Sequence, residues 1–112
     1  MPTYCRRLLD QATLSTGDAL DPADALDLAD YKELEIVVEV HSAAEGDTPR
    51  LVLQHGPTAA VSLNFETPVS VDLSATGTSW LHLARFTRWL GWSVTGTLSG
   101  GAVVTLEVIA KA

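Results

Sequence analysis

Hydrophobic and polar residues alternate along most of this chain, and a period of two is typical of β-strands. The clearest example is residues 34–41, where alternate positions carry Leu34, Ile36, Val38 and Val40. The last such run, residues 103–110, places Thr105 and Glu107 on its outward face. Strands of this kind bury one face only, which indicates sheets that pack on a core from one side.

Turn-forming segments rich in glycine, proline and polar residues separate these runs at nearly regular intervals. The pattern predicts about eight short strands, near residues 5–14, 24–29, 34–41, 50–55, 59–65, 69–73, 79–84 and 88–95, followed by a closing strand at 102–110. This spacing is typical of an all-β, single-domain antiparallel β-sandwich or jelly roll spanning residues 1–112. The apolar positions of residues 1–14 fit neither period well, and we expect an edge strand or an extended N-terminal arm there.

The composition is that of one folded domain. The chain has 112 residues, of which 46% are hydrophobic and 19% charged, so it is too apolar and too weakly charged to be disordered. It opens with no signal-like segment and holds no apolar run of membrane-spanning length. We therefore expect a protein made in the cytoplasm that has no membrane partner.

The charge of the chain is acidic and unevenly distributed. Lys and Arg number 7 against 14 Asp and Glu, which gives a net charge of −7, and 11 of the 14 carboxylates lie in residues 1–50. Because affinity for nucleic acid rests on clustered Lys and Arg, we expect no nucleic-acid partner. The second half carries all three tryptophans, so the asymmetry favours two chemically different surfaces on one domain.

The candidates for metal or catalytic chemistry are weak. Residues 18–30 carry an aspartate at every third position, but a calcium loop needs oxygens that converge around a sharp turn, which usually contains glycine. We expect instead a solvated loop that leads into a half-buried strand at 25–28, with Pro22 able to begin a helix. The histidines at positions 41, 55 and 82 lie far apart in sequence, and Cys5 has neither a disulfide partner nor an evident activating base. The sequence therefore predicts no metal, no cofactor and no enzyme.

The tryptophans give the most specific signal. Alternation places Trp92 toward the core and Trp89, Trp80 and His82 outward. An outward tryptophan on a small sandwich is covered by a loop, contacts another protein, or stacks on a sugar ring, and we favour the protein interface. One β-bulge before Trp89 would exchange the faces of Trp89 and Trp92.

Four segments form a recognisable series. They are an early strand–turn–strand, a strand that ends in Leu-Gln-His, an aromatic and basic strand that leads into Val-Thr-Gly, and a final strand that closes in Ala-Lys: residues 25–34, 51–55, 86–96 and 104–111. This series resembles small structural proteins of tailed bacteriophages and related virus-like particles. It departs from the family pattern after His55, where Gly56-Pro57-Thr58 replaces the usual turn of the Ser-Pro-Asp-Gly type.

The resemblance implies a non-enzymatic virion structural protein, most specifically a capsid decoration or stabilising protein that binds the shell. We expect a homo-oligomer, with a trimer favoured, whose partner is the major capsid protein or another particle protein. Its location is then the virion surface, after synthesis in the host bacterial cytoplasm. The residues predicted to make contacts are Trp80, His82, Arg85, Arg88, Trp89, Arg6 and Arg7. Two alternatives stay open: a tail or head–tail component of a phage-like particle, and a carbohydrate-binding β-sandwich module that stacks sugars on Trp80 and Trp89.

Overall fold

A computed structural model describes residues 3–57 and 69–112 of the chain. In chain order the elements are β1 (Thr3–Leu14), one turn of 3₁₀ helix (Pro22–Asp24), β2 (Leu26–Asp27), β3 (Glu33–Ser42), β4 (Glu45–Gly56), β5 (Val69–Asp72), β6 (Gly77–Leu83), β7 (Trp89–Ser99) and β8 (Ala102–Lys111). The strand predicted at residues 59–65 lies outside the described residues. Within the described ranges, no helix is long and apolar enough to cross a bilayer.

The eight strands form two four-stranded antiparallel sheets. The first sheet has the order β1-β8-β3-β6 and the second the order β2-β7-β4-β5. Strands that follow each other in sequence therefore lie mostly in different sheets, which is the topology of a jelly roll. The predicted all-β sandwich of about eight strands is confirmed.

The core lies between the two sheets and consists of the side chains that alternation assigned to it. Leu34, Ile36 and Val38 of β3 face Leu51 and Leu53 of β4 across the sandwich as members of one buried cluster. The other fully buried large side chains include Leu14, Leu28, Leu73, Leu90, Val104, Leu106 and Val108. Burying each such side chain contributes about 1.5–3 kcal/mol. Trp92 belongs to the core, as predicted.

The N-terminal segment is an edge strand of the first sheet. β1 pairs with β8 from Thr3 opposite Lys111 to Leu14 opposite Ala102. The register shifts twice, between Arg7 and Leu9 and between Leu9 and Ala12. Each shift moves the following side chains to the other face, so the apolar positions fit no single period. Of the two predicted forms, the edge strand is the one observed.

Two glycines allow β4 and β7 to approach closely where their register shifts, between Asp47 and Arg50. Gly96 has a φ of +76°, and a Cβ there would clash with the backbone carbonyl of Thr48. A Cβ on Gly46 would clash in the same way with the carbonyl of Thr97. Any larger residue at either position must push the two strands apart.

The regularly spaced aspartates of residues 18–30 act on the local backbone. The carboxylates of Asp18, Asp21 and Asp27 accept hydrogen bonds from the backbone N–H groups of Ser15, Ala23 and Ala29, respectively. Side chains of aspartate stabilise turns in this way. Pro22 begins a short 3₁₀ turn and Leu26–Asp27 forms β2, which agrees with the predicted loop and half-buried strand.

Candidate protein interface

Trp80 lies on the outer face of the first sheet, in the middle of its edge strand β6. Residues directly opposite each other in antiparallel strands share a face, so the pairing of the strands defines its neighbours. One row across the sheet runs Arg7, Glu107, Val37, Trp80, and the adjacent row runs Cys5, Ile109, Glu35, His82. We call these eight residues the Trp80 face.

Trp80, Val37 and Ile109 are the large apolar residues of the Trp80 face. Trp80 is 67% exposed, as the sequence predicted for its outward position. Val37 lies directly opposite Trp80, and Ile109 occupies the adjacent row; both are half-buried. The sequence analysis singled out neither residue. Both are β-branched apolar residues at outward positions of alternating strands, and this feature could have identified them.

Polar side-chain contacts lie beside these apolar residues. An Arg7 nitrogen lies 3.3 Å from a Glu107 oxygen and another lies 3.4 Å from an oxygen of Asp10. Nδ1 of His82 lies 2.8 Å from Oε1 of Glu35. These contacts are accessible to solvent, so they add little stability. An aromatic side chain inside a polar rim is the arrangement found in protein interfaces.

Trp89 lies on the outer face of the second sheet, between Asp27 of β2 and Gly56 of β4. Arg88 packs over its ring, with the guanidinium carbon 5.1 Å from the ring centroid. The same guanidinium binds both carboxylate oxygens of Asp27, at 3.0 and 2.9 Å. These hydrogen bonds from Arg88, with a further one from the backbone N–H of Ala29, hold the pKa of Asp27 below its usual range.

The predicted contact residues therefore do not form one surface. Trp80, His82 and Arg7 share the Trp80 face, whereas Trp89 belongs to the opposite sheet and Arg88 directly precedes it in the chain. A single glycan cannot stack on both tryptophans at once, because the thickness of the sandwich separates them.

Two further predicted contact residues line clefts at the margins of the sandwich. Arg6 lines a cleft of about 360 Å³ with Tyr4, Tyr31 and Asp27, in which the two tyrosine rings stack with centroids 6.0 Å apart. Arg85 lies in the loop before β7, where it lines a second cleft with Tyr31.

The histidines do not converge. His41 contacts Thr105 and Glu39, His55 contacts Thr87, and His82 contacts Glu35. Within residues 3–57 and 69–112, no group of three or more His, Cys, Asp or Glu side chains is placed to hold a metal ion.

The two halves of the sequence do not form separate surfaces, contrary to the expectation from the charge asymmetry. Each sheet alternates strands from the first and the second half of the chain. Basic and acidic groups from different halves consequently meet, as Arg88 does with Asp27 and His82 with Glu35. The jelly-roll topology thus mixes charges that are separated in sequence.

Comparison with known proteins gives one structural match that supports the fold. No protein-family model and no curated protein sequence matches the chain. Among solved structures, a chain from Bacillus endospore appendages, described as a novel family of disulfide-linked pili, superposes with a TM-score of 0.52 at 10% sequence identity. The match covers 99% of this chain and 85% of the appendage chain. At this identity the similarity shows the fold alone.

Proposed function

We propose that this chain is a non-enzymatic structural subunit of a large protein assembly, and specifically a virion protein that decorates and stabilises a capsid shell. The observation that carries the proposal is Trp80, which is 67% exposed on the outer face of the first sheet, in the middle of its edge strand β6. A large aromatic side chain held on a strand loses little conformational freedom on binding and covers a wide contact area. The jelly roll supplies a rigid scaffold of a kind that also occurs in viral capsid proteins.

The surroundings of Trp80 favour a protein partner over a small ligand. Val37 and Ile109 extend the apolar surface along the sheet, and the pairs Arg7–Glu107 and His82–Glu35 border it. Ligand pockets are concave, whereas this surface is the outside of a sheet. A shell protein offers a broad surface of the same kind, so the two can bury an area of the size that specific complexes need.

The direct test is gradient co-sedimentation of the tagged chain with particles from its native source, followed by mass spectrometry of the partner bands. We expect the wild type to travel with a major shell protein at fixed stoichiometry and Trp80→Ala to remain near the top of the gradient. Thr95→Ala, a change of an exposed residue on the opposite sheet, is the matched control and should co-sediment like the wild type. A wild-type chain that never enters the particle fraction contradicts the proposal.

The partner bands also separate head from tail. Association with tail or head–tail proteins, at a low copy number, would favour the tail-component alternative over shell decoration. Association with the major shell protein at high copy number supports decoration, and the ratio of the two chains identifies the symmetry axis that is occupied.

A second candidate is a subunit of a surface appendage. The similarity to a chain of disulfide-linked pili suggests it, and Cys5 is an exposed free cysteine on the Trp80 face. The chain has a single cysteine, so this candidate predicts a disulfide-linked dimer of the air-oxidised, purified chain on a non-reducing gel, which disappears with reductant and in Cys5→Ser. Shell decoration predicts particle binding that persists in the presence of reductant.

A further inference from the structure

The four edge strands of the sandwich differ in how well they are protected against pairing with another strand. An edge strand presents unpaired backbone N–H and C=O groups, and proteins usually block such edges by short length, bulges, charges or proline. β2 has two residues and β5 has four, ending at Asp72. β1 is long but carries two register shifts, and Gln11 within it has a φ of +47°.

β6 carries none of these protective features. Its seven residues, Gly77–Leu83, include no Lys, Arg, Asp, Glu or Pro. Its pairing with β3 is continuous from Leu83 opposite Leu34 to Gly77 opposite Val40, without a bulge. Among the described residues β3 is the one strand that pairs with β6, so no described strand covers the other edge of β6. The most exposed large apolar side chain of the described part, Trp80, stands at its centre.

We propose that β6 pairs with β6 of a second copy of this chain, in antiparallel orientation about a two-fold axis at Trp80. The two first sheets then form one continuous eight-stranded sheet. In this register Trp80 lies opposite Trp80, and His82 lies opposite Thr78. Cross-strand aromatic pairs stabilise antiparallel sheets, and a two-fold contact between identical strands closes at the dimer.

The charges of the first sheet favour a second copy as the partner. The chain has a net charge of −7, so two copies repel each other unless their contact keeps carboxylates apart. β6 itself has no carboxylate, and Glu35, in the neighbouring strand, is paired with His82. Glu39 lies opposite Thr78. Each His82 then lies across the junction from a Thr78–Glu39 pair, so the pairing opposes no like charges.

The leucines of β6 add a reason for the pairing. Leu81 and Leu83 point toward the core, but both are only partly buried. A second strand at this edge covers part of their remaining surface. Opposite them in the proposed register lie Ser79 and Gly77, which are small enough to admit the leucines of the partner.

This dimer deepens the proposed function, because it joins two Trp80 faces into one surface that can bind two sites on a shell. The dimer itself requires no particle, and it is therefore tested with the purified chain. If the chain does not dimerise, co-sedimentation with particles still tests the proposed function. If the chain does not bind particles, sedimentation of the purified chain still tests the dimer.

The first measurement is sedimentation velocity of the full chain from about 1 μM to about 500 μM, a range that brackets weak and strong interfaces. We expect a species of twice the 11.9 kDa chain mass that increases with concentration. A trimer, a larger species or a monomer throughout the range overturns the proposal.

Opposite charges at position 80 test the register. Trp80→Lys and Trp80→Glu each place like charges opposite each other, so each variant alone should dimerise at least about tenfold more weakly than the wild type. Mixed in equal amounts they place Lys opposite Glu, and dimers should return. Thr95→Lys and Thr95→Glu, on the opposite sheet, are the charge controls and should dimerise like the wild type. Circular dichroism confirms that every variant is folded.

Cross-linking provides a second readout that does not depend on added charge. In a Cys5→Ser background, Trp80→Cys should be joined into dimers by a short bifunctional maleimide, whereas Thr95→Cys should not. Dimers that persist in Trp80→Lys, mixed variants that stay monomeric, or equal cross-linking at both positions each overturn the pairing of β6 with β6.

Discussion

Trp80 and Trp89 lie on the outer faces of opposite sheets, and only Trp89 is covered, by the guanidinium of Arg88. Trp80 is 67% exposed, whereas Trp89 is half-buried between Asp27 and Gly56. The two residues resemble each other in sequence because both are outward tryptophans of alternating strands. Their surroundings differ, so Trp89 contributes to the fold while Trp80 is free to contact a partner.

The first prediction compares the two tryptophans. Trp80→Thr should change the free energy of unfolding by less than about 1 kcal/mol, since an exposed side chain loses little packing and Thr keeps a high β-propensity. Trp89→Thr should cost about 1–2 kcal/mol, because it removes a packed ring from beneath Arg88. Urea unfolding followed by circular dichroism measures both. Equal costs would contradict the assignment of separate roles.

The second prediction concerns acid stability. Hydrogen bonds from Arg88 hold the pKa of Asp27 below its usual value of 3.8. The carboxylate therefore contributes stability that is fully present above the unfolded pKa and is lost as the pH falls through the lower folded pKa. In Asp27→Asn this contribution is absent at every pH, while the hydrogen bond to Ala29 is preserved by the amide oxygen.

We expect Asp27→Asn to be less stable than the wild type at pH 7 and the difference to shrink below about pH 4. Thermal unfolding from pH 7 down to about pH 2 measures it. A difference that is constant over this range would show that the ionised carboxylate does not act through Arg88. Asp72→Asn is a useful comparison, since the hydroxyl and the backbone N–H of Ser74 lower the pKa of Asp72 without an arginine contact as the main cause.

The third prediction tests the close approach of β4 and β7. Gly96→Ala should destabilise the protein by more than about 2 kcal/mol, because it adds a clash with Thr48 to an unfavourable positive φ. Gly100→Ala is the matched control: Gly100 has a φ of +87°, but no atom lies within 4 Å of the added Cβ. It should cost only about 1 kcal/mol. Similar costs for the two changes would argue that strand separation does not matter at Gly96.

The fourth prediction tests which face of β8 is buried. Leu106 is fully buried, whereas Ile109 on the same strand belongs to the Trp80 face. Leu106→Ala should cost about 2–5 kcal/mol, since it leaves a cavity in the core. Ile109→Ala should cost less than about 1.5 kcal/mol at a concentration where the chain is monomeric. Chemical unfolding measures the loss of stability in both variants. A larger loss for Ile109→Ala than for Leu106→Ala would contradict the assignment of the buried face of β8.

Alternation determined the strands and their inward faces. Once a strand forms, its side chains must point alternately to two sides, so Leu34, Ile36 and Val38 could be assigned to the core without any tertiary information. The same reasoning placed Trp92 inside and Trp80 outside correctly. It was least informative for β1, where two register shifts break the period. A bulge depends on how a strand pairs with its partner, and the sequence of β1 alone carries no information about that pairing.

What the sequence by itself determined is thus local: the strands and their inward faces. The composition of the outer surfaces was decided by the order of the strands in each sheet, because this order sets which outward residues become neighbours. Only the tertiary structure places Val37 and Ile109 on the same face as Trp80 and pairs Arg88 with Asp27. It also leaves β6 with β3 as its one partner among the described strands. These contacts join residues far apart in sequence, and a local period carries no information about such partners.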